Sequence, residues 1–327
     1  VGDHAANSKK FKPLRKQNLK LWEDIQKEDV NIIQGMQDWN VDPHQVFGGP
    51  SGVNWYLDYS AAGYDVRGML GQWEHNYPDQ WTKHNAQDSG YGGEAIQNMT
   101  RWDWGQDLFE WFEYYLQDRG EQPGQYIEIQ DNQGEWRLEN RYPPSDTTEW
   151  IGSLGGELSN IGGSMTILPD ASNGPVWETE PLTETIRIAG VPRLHVDVTT
   201  ATVGGQLYAL LEDCSGNECI HVGHAIMDLR YHAGGDDIQT WLPIFETINA
   251  KMEFMPLDAV IAEGHTIRVS LLSTGEDYLP ASTSSIVTIQ EGDTSTLQLD
   301  VINPLVDVDM RRYFTPPVCL HEVCLGA

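Results

Sequence analysis

Two short apolar runs, at 30–33 and 66–70, each end in a turn of polar and aromatic residues, and the stretch between them has a different period. There Val53, Tyr56, Leu57 and Ala61 recur at helical spacing. The order strand, loop, helix, strand, loop predicts a parallel βαβ unit, because two parallel strands need a long crossover between them. Both turns then leave the carboxyl ends of neighbouring strands: Gly35-Met36-Gln37-Asp38-Trp39-Asn40-Val41 from the first and Trp73-Glu74-His75 from the second. In an open α/β sheet that edge is where reacting groups are placed. A carboxylate on one loop and an imidazole on the next form the orienting half of a nucleophilic triad.

From residue 126 the period changes to two. Tyr126-Ile127-Glu128-Ile129-Gln130, Thr185-Ile186-Arg187-Ile188, Leu194-His195-Val196-Asp197-Val198, Thr266-Ile267-Arg268-Val269-Ser270-Leu271 and Leu297-Gln298-Leu299-Asp300-Val301 all alternate. Short alternating runs separated by Gly, Asn, Asp and Pro predict a β-sandwich or jelly roll. Just before the change, Trp104, Leu108, Trp111, Phe112, Tyr115 and Leu116 mark one face of an amphipathic helix. Asp118-Arg119-Gly120 and Pro123-Gly124 end it. Leu19, Leu21, Trp22 and Ile25 suggest a further short helix ahead of the first strand. The expected organisation is an α/β part over 1–122, an all-β part over 123–303 and a tail over 304–327.

With 327 residues and 39% apolar content the chain can bury one large or two ordinary cores. Nothing in it approaches the run of about 18 apolar residues that a membrane-spanning helix needs. The net charge of −29 disfavours nucleic acid and anionic membrane surfaces as partners. Seven of the 20 basic residues fall before position 28, so the remainder is more acidic than the total suggests. Salt relieves such self-repulsion, the Debye length being about 3 Å at 1 M. A halophilic setting and an ordinary acidic surface are both compatible with it. The chain opens on Val1 without a secretory leader, which reads as a processed or partial polypeptide and leaves its compartment open.

The cysteines form two short-range pairs, Cys214 with Cys219 and Cys319 with Cys324. Each pair encloses four residues, a spacing open to a local disulfide, to free thiols or, less naturally, to zinc. Two disulfides would favour an extracellular or cell-surface location, and the second would tie down the tail. His221 and His224, with Asp228 and His232 nearby, invite a metal reading. Residues i and i+3 of a strand point to opposite faces, so no metal is expected there, and no cofactor elsewhere. Asn98-Met99-Thr100 is a glycosylation sequon only for a secreted chain.

Several segments together resemble a known group. Gly35-Met36-Gln37-Asp38-Trp39-Asn40-Val41 is similar to a turn bearing a triad acid, and Leu70-Gly71-Gln72-Trp73-Glu74-His75 to the segment bearing the triad histidine. Phe109-Glu110-Trp111-Phe112-Glu113-Tyr114-Tyr115-Leu116 resembles the helix before a domain switch. Gln130-Asp131-Asn132-Gln133-Gly134-Glu135-Trp136-Arg137 and Ala262-Glu263-Gly264-His265-Thr266-Ile267-Arg268-Val269-Ser270 look like first and late strands of a jelly roll. The group is the Xaa-Pro dipeptidyl-peptidases with the related cocaine-esterase and acyl-amino-ester hydrolases. These are α/β-hydrolase serine enzymes carrying a jelly-roll domain, and the chain resembles their carboxyl-terminal part.

The resemblance implies the carboxyl-terminal part of an α/β-hydrolase sheet followed by a jelly-roll β-sandwich, with Asp38 as triad acid and His75 as general base. The family nucleophile sits in Gly-x-Ser-x-Gly upstream of the acid. Ser51 has Gly49 before it but Val53 after it, Ser164 has Gly162 before it but Thr166 after it, and no serine fits. The nucleophile is therefore expected on an upstream segment outside this chain. That segment is the expected partner, and a peptide or small ester or amide the expected substrate. Trp39, Trp73 and Tyr77 are candidates for pocket lining or for plain packing, and Asn40 for holding the acid's loop. Glu263-Gly264-His265 is implied as a structural turn. The competing reading is a non-catalytic jelly-roll module for carbohydrate or surface attachment, with Trp136, Trp150, Trp177 and Trp241 as stacking candidates. If upstream strands are lacking, the first 120 or so residues should expose an edge and associate, while the jelly roll folds independently.

Overall fold

The structure is a computed structural model and describes residues 29–36, 38, 52–73, 75, 77–79, 101, 103–124, 126–153, 164–167, 174–232, 241–275, 278, 285–290, 294–302 and 310–311. Trp39, Asn40, the sequon at Asn98, the helix expected near Trp22, and both Cys319 and Cys324 lie outside the described residues.

Strands β1 (Val30–Gly35) and β2 (Val66–Gly71) run parallel, in register from Val30↔Val66 to Gly35↔Gly71. Between them lies helix α1 (Gly52–Ala61), which buries Val53 and Tyr56 in a cluster with Ile32, Leu70, Ile127 and Ile129. The Gly52 N–H donates to Gln34 Oε1 at 3.1 Å, and a Cβ on Gly52 would come within 2.6 Å of that oxygen. The helix stops at a Schellman turn: Tyr64 N–H reaches Tyr59 O and Gly63 N–H reaches Ser60 O, each at 3.0 Å. Gly63 takes φ 77°, and the rings of Tyr59 and Tyr64 meet edge to face at 5.4 Å as the accompanying apolar contact.

Helix α2 (Trp104–Gln117) follows, then β3 (Ile127–Gln130), parallel to β2, and β4 (Trp136–Glu139), antiparallel to β3. Residues 310–311 pair with β4 and complete a five-stranded sheet. The change of period at 126 is thus not a change of sheet, because β3 and β4 continue the one that β1 and β2 begin. Alternation reports which face of a strand is buried and is silent about its neighbours. α2 buries Trp111, whereas Phe109, Phe112 and Leu116 face outward at 57, 46 and 74% exposure.

The sandwich starts at β5 (Thr148–Ser153). It continues through β6 (Ser164–Ile167), β7 (Val176–Glu178), β8 (Ile186–Gly190), β9 (Arg193–Thr200), β10 (Gln206–Ser215), β11 (Glu218–Asp228), β12 (Ile248–Glu253), β13 (Leu257–Ile261), β14 (Thr266–Leu272), β15 (Val287–Gln290) and β16 (Thr296–Ile302). One sheet has the order β11-β10-β14-β7; the other has β13-β8-β16-β9-β15-β6, with β12 on β9 and β5 on β16. The inward side chains alternate as the sequence predicts: Leu194, Val196 and Val198 meet Leu207, Ala209 and Leu211 and then Ile267, Val269 and Leu271 in one core. The Leu, Ile and Val side chains among them each contribute about 1.5–3 kcal/mol by leaving water.

Of the two cysteine pairs, one is settled here. Cys214 and Cys219 face one another across the β10–β11 hairpin and are joined by a disulfide, which decides among the three states their spacing left open. The second bridge expected, between Cys319 and Cys324, gains no such support, because both residues fall in the part of the tail beyond the described residues. Among the described residues the Cys214–Cys219 bond is thus the one disulfide present.

A buried polar seam joins the first sheet to the sandwich. Arg187 of β8 donates from Nε and Nη2 to Asp258 of β13 at 2.9 and 2.6 Å, and it pairs with Glu139 of β4. Arg137 of β4 pairs with Asp131 and lies 3.7 Å from Asp258. Burial works to lower the Arg187 pKa, but the Asp258 and Glu139 carboxylates outweigh it and hold it above the usual arginine value. Burial also pushes the carboxyl of Asp131 up, against the pull of Arg137. Asn132 spans the seam with its amide, donating to Val260 O at 3.2 Å and accepting from Val260 N–H at 2.8 Å. The Tyr142 hydroxyl lies 2.9 Å from the carbonyl oxygens of both Gly190 and Leu257.

Candidate active site

Because β1 and β2 are in register, their following loops start level. Met36 N–H donates to Gly71 O at 2.7 Å and carries the pairing one step past the strands. Asp38 stands three residues beyond β1 and His75 four beyond β2. The second loop is held from below: Gln72 N–H donates to Gln130 Oε1 at 3.0 Å, and Gln72 Nε2 returns a bond to Gln130 O at 2.9 Å. Trp73 then turns back over Gly71, where a Cβ would sit 1.8 Å from its ring, so only glycine admits this path. Its indole is buried against Trp136, with ring centroids 6.2 Å apart. The Arg101 guanidinium lies over the Trp136 ring at 4.9 Å and donates to Glu128 Oε2 at 2.9 Å.

These supports bring His75 Nδ1 to 3.1 Å from Asp38 Oδ2. The carboxylate is buried, with 9% of its side chain exposed, while the imidazole is half open at 51%. A buried acceptor beside Nδ1 is able to fix the tautomer, which would leave Nε2 as the nitrogen to exchange a proton. Of the other residues singled out in the sequence, Trp73 and Trp136 belong to the core under the loop. Tyr77 is exposed and stacked on Trp104 at 5.4 Å. The bracing roles of Gln72, Gln130 and Arg101 escape the sequence reading, although a glutamine in the middle of an aromatic turn is a signal of a backbone-holding role.

The second set of histidines departs from expectation. The β10–β11 ladder shifts register between Leu211 and Glu212, which pair with Gly223 and His221 and leave Val222 without an opposite residue. This bulge turns His221 and His224 to one side of the sheet, and their ring centroids lie 5.4 Å apart. The rule that i and i+3 face opposite ways holds only for a regular strand. Asp228 is taken up by Arg230, and His232 Nδ1 lies 3.0 Å from Leu229 O. Among the described residues no group of three or more His, Cys, Asp or Glu is placed to hold a metal.

The fold defines a mostly-β protein whose large sandwich is tied to a small mixed sheet. Residues 116–301, more than half of the chain, match the X-Pro dipeptidyl-peptidase C-terminal non-catalytic domain, and the chain belongs to that family. A search of curated protein sequences gave no match. Among solved structures it is similar to an aminopeptidase from a marine sediment Thaumarchaeota archaeon, at 14% identity and a TM-score of 0.59 over 83% of this chain and 54% of that one. It is also similar to a CocE/NonD family hydrolase from Staphylococcus aureus, at 13% identity and a TM-score of 0.58 over 84% and 55% of the two chains. An alpha-amino acid ester hydrolase gives 14% identity and a TM-score of 0.53 over 83% and 55%. The chain thus spans about half the length of these proteins. No helix among the described residues is long and apolar enough to cross a membrane.

Proposed function

We propose that this chain supplies the acid and base of a Ser-His-Asp triad to a serine hydrolase of the Xaa-Pro dipeptidyl-peptidase type. The serine would come from a segment of polypeptide upstream of residue 1, and the β-sandwich would act as the non-catalytic wall of the site. The observation that carries the reading is the 3.1 Å approach of Asp38 Oδ2 to His75 Nδ1 on consecutive loops of parallel strands. In the cycle, His75 Nε2 takes the proton of the serine hydroxyl as its oxygen adds to the substrate carbonyl. The imidazolium, held by Asp38, returns that proton to the leaving amine or alcohol. Water repeats the sequence on the acyl-serine and releases the acid. The substrate proposed is a peptide with a penultimate proline, or an ester or amide relative.

In the protein carrying the upstream serine, Asp38→Asn should lower kcat roughly 10⁴-fold with KM little changed. His75→Ala should cost about as much as removing the serine itself. Either variant keeping activity within tenfold of the parent would overturn the proposal, as would labelling of the isolated 327-residue chain by a serine-directed fluorophosphonate.

A second reading rests on a cleft of about 350 Å³ at the sandwich surface, lined by Trp150, Leu182, Leu299, Glu180 and Glu184 among others. Its exposed indole and carboxylates suit stacking and hydrogen bonding to a sugar ring. A glycan array with no signal above a β-sandwich control removes that reading and leaves the first untouched.

A further inference from the structure

We propose that the open face of the Tyr77 ring is the leaving-group subsite of the hydrolase, selecting scissile bonds whose departing amine or alcohol carries a flat ring. Such a role rests on the reading of Asp38 and His75 as acid and base. In that cycle His75 Nε2 hands its proton to the departing atom, which must then lie within about 2.6–3.2 Å of it. Whatever that atom carries is therefore laid against the loop that continues from His75. The acyl group lies across the scissile bond, towards the serine that takes it up. Tyr77 stands two residues past His75, a backbone span of at most about 7 Å, and is the first described aromatic residue after it.

The ring is held in place from several directions. It stacks on Trp104 with centroids 5.4 Å apart and planes 11° from parallel, an offset arrangement that aromatic pairs prefer. Trp104 opens α2 and packs on the cluster of Met69, Trp73 and Trp136, so a column of aromatic rings runs from the core to the loop of His75. The backbone is restricted as well. Pro78 biases the residue before it towards extended conformations. The Pro78 carbonyl accepts from Arg101 N–H at 2.6 Å, and Arg101 is itself buried with its guanidinium on Glu128 and Asp103. Tyr77 nevertheless stays 61% exposed. A tyrosine ordered in this way gains little from leaving water, so burial does not account for its position. What it presents is a rigid flat surface in the same loop as the proton-transferring imidazole. A surface fixed before binding costs a ligand little ordering, and a ring face rewards a ring that lies along it.

The test uses the protein carrying the upstream serine and two series of substrates. One series joins alanyl-proline to 2-naphthylamine, p-nitroaniline or methylamine; the other joins different Xaa-proline dipeptides to p-nitroaniline. In Tyr77→Ala the kcat/KM ratio of naphthylamide to methylamide should fall about three- to tenfold, through KM and not kcat. Tyr77→Phe keeps the ring and should hold the parental ratio. Tyr77→Leu keeps apolar bulk without the flat face and should behave as Tyr77→Ala does. Ratios within the second series should stay parental in all three. An unchanged naphthylamide-to-methylamide ratio in Tyr77→Ala, a change confined to the second series, or an equal loss on every substrate overturns the subsite and leaves the triad standing. Full activity in Asp38→Asn, or no hydrolysis of any member of either series by the parent, overturns both.

Discussion

The two parts of this chain solve the burial problem differently. In the sandwich, two sheets turn their alternating faces toward one another and share a single core. The first sheet is narrower, β1 is its outermost strand among the described residues, and α2 turns Phe109, Phe112 and Leu116 to the outside. Yet the smaller part holds the proposed acid and base. Its loops are braced by Gln72–Gln130 bonds, a buried Trp73–Trp136 pair and the Arg101 guanidinium, while the sandwich invests its order in packing. A self-sufficient core and a prepared site are separable properties, and here one region excels in each.

The sharpest way to break this contrast is at the seam. Asp258→Ala leaves the Arg187 guanidinium buried beside one partner fewer and should cost about 3–5 kcal/mol in chemical denaturation. Because Asp258 belongs to the sandwich and Glu139 to the first sheet, both regions should loosen together in hydrogen exchange. Loss confined to one of them would show that the seam is not what couples them. Gly71→Ala addresses the first sheet alone. The added methyl must displace Trp73, which should cost about 1–3 kcal/mol and speed exchange of β1 and β2 amides. The β10 and β14 amides should keep their protection, and equal loss in both would contradict the separation. The mildest change tests the sandwich surface. A hydrogen bond from the Thr266 hydroxyl, with help from Arg268, holds the Glu178 carboxyl below its usual range. A carboxyl with a lowered folded value stabilises above the ordinary carboxylate range and loses that contribution as pH falls through the folded value. Glu178 is partly open to solvent, so Glu178→Gln should cost no more than about 0.5 kcal/mol at neutral pH. The difference from the parent should vanish in strong acid, and a difference that grows on acidification would refute the assignment.

Much of this was legible in the residues. Helical spacing at Val53, Tyr56 and Leu57 between two apolar runs marked the crossover, and the crossover put Asp38 and His75 on neighbouring loops. Period-two runs marked the sandwich strands, down to which side chains point inward. What stayed hidden was set by long-range pairing. Nothing local in Ile127-Glu128-Ile129-Gln130 tells that it lies beside β2 instead of joining the sandwich. The seam was equally silent, since Arg187 and Asp258 are 71 residues apart and look like ordinary outward-facing charges in alternating strands. The register shift opposite Leu211 and Glu212 was invisible for another reason: a single unpaired residue leaves no signature in composition, yet it reverses the facing of every residue after it.

Asn132 carries one last implication. β13 is the outer strand of its sheet order, and a strand in that position is a template onto which other polypeptides can polymerise. The carboxamide of Asn132 occupies both the N–H and the carbonyl of Val260, the mid-strand groups a fibril-forming chain would seize first. With the Asn132 N–H donating to Asp258 O at 3.1 Å as well, a single residue takes up the outward backbone groups that such pairing would need.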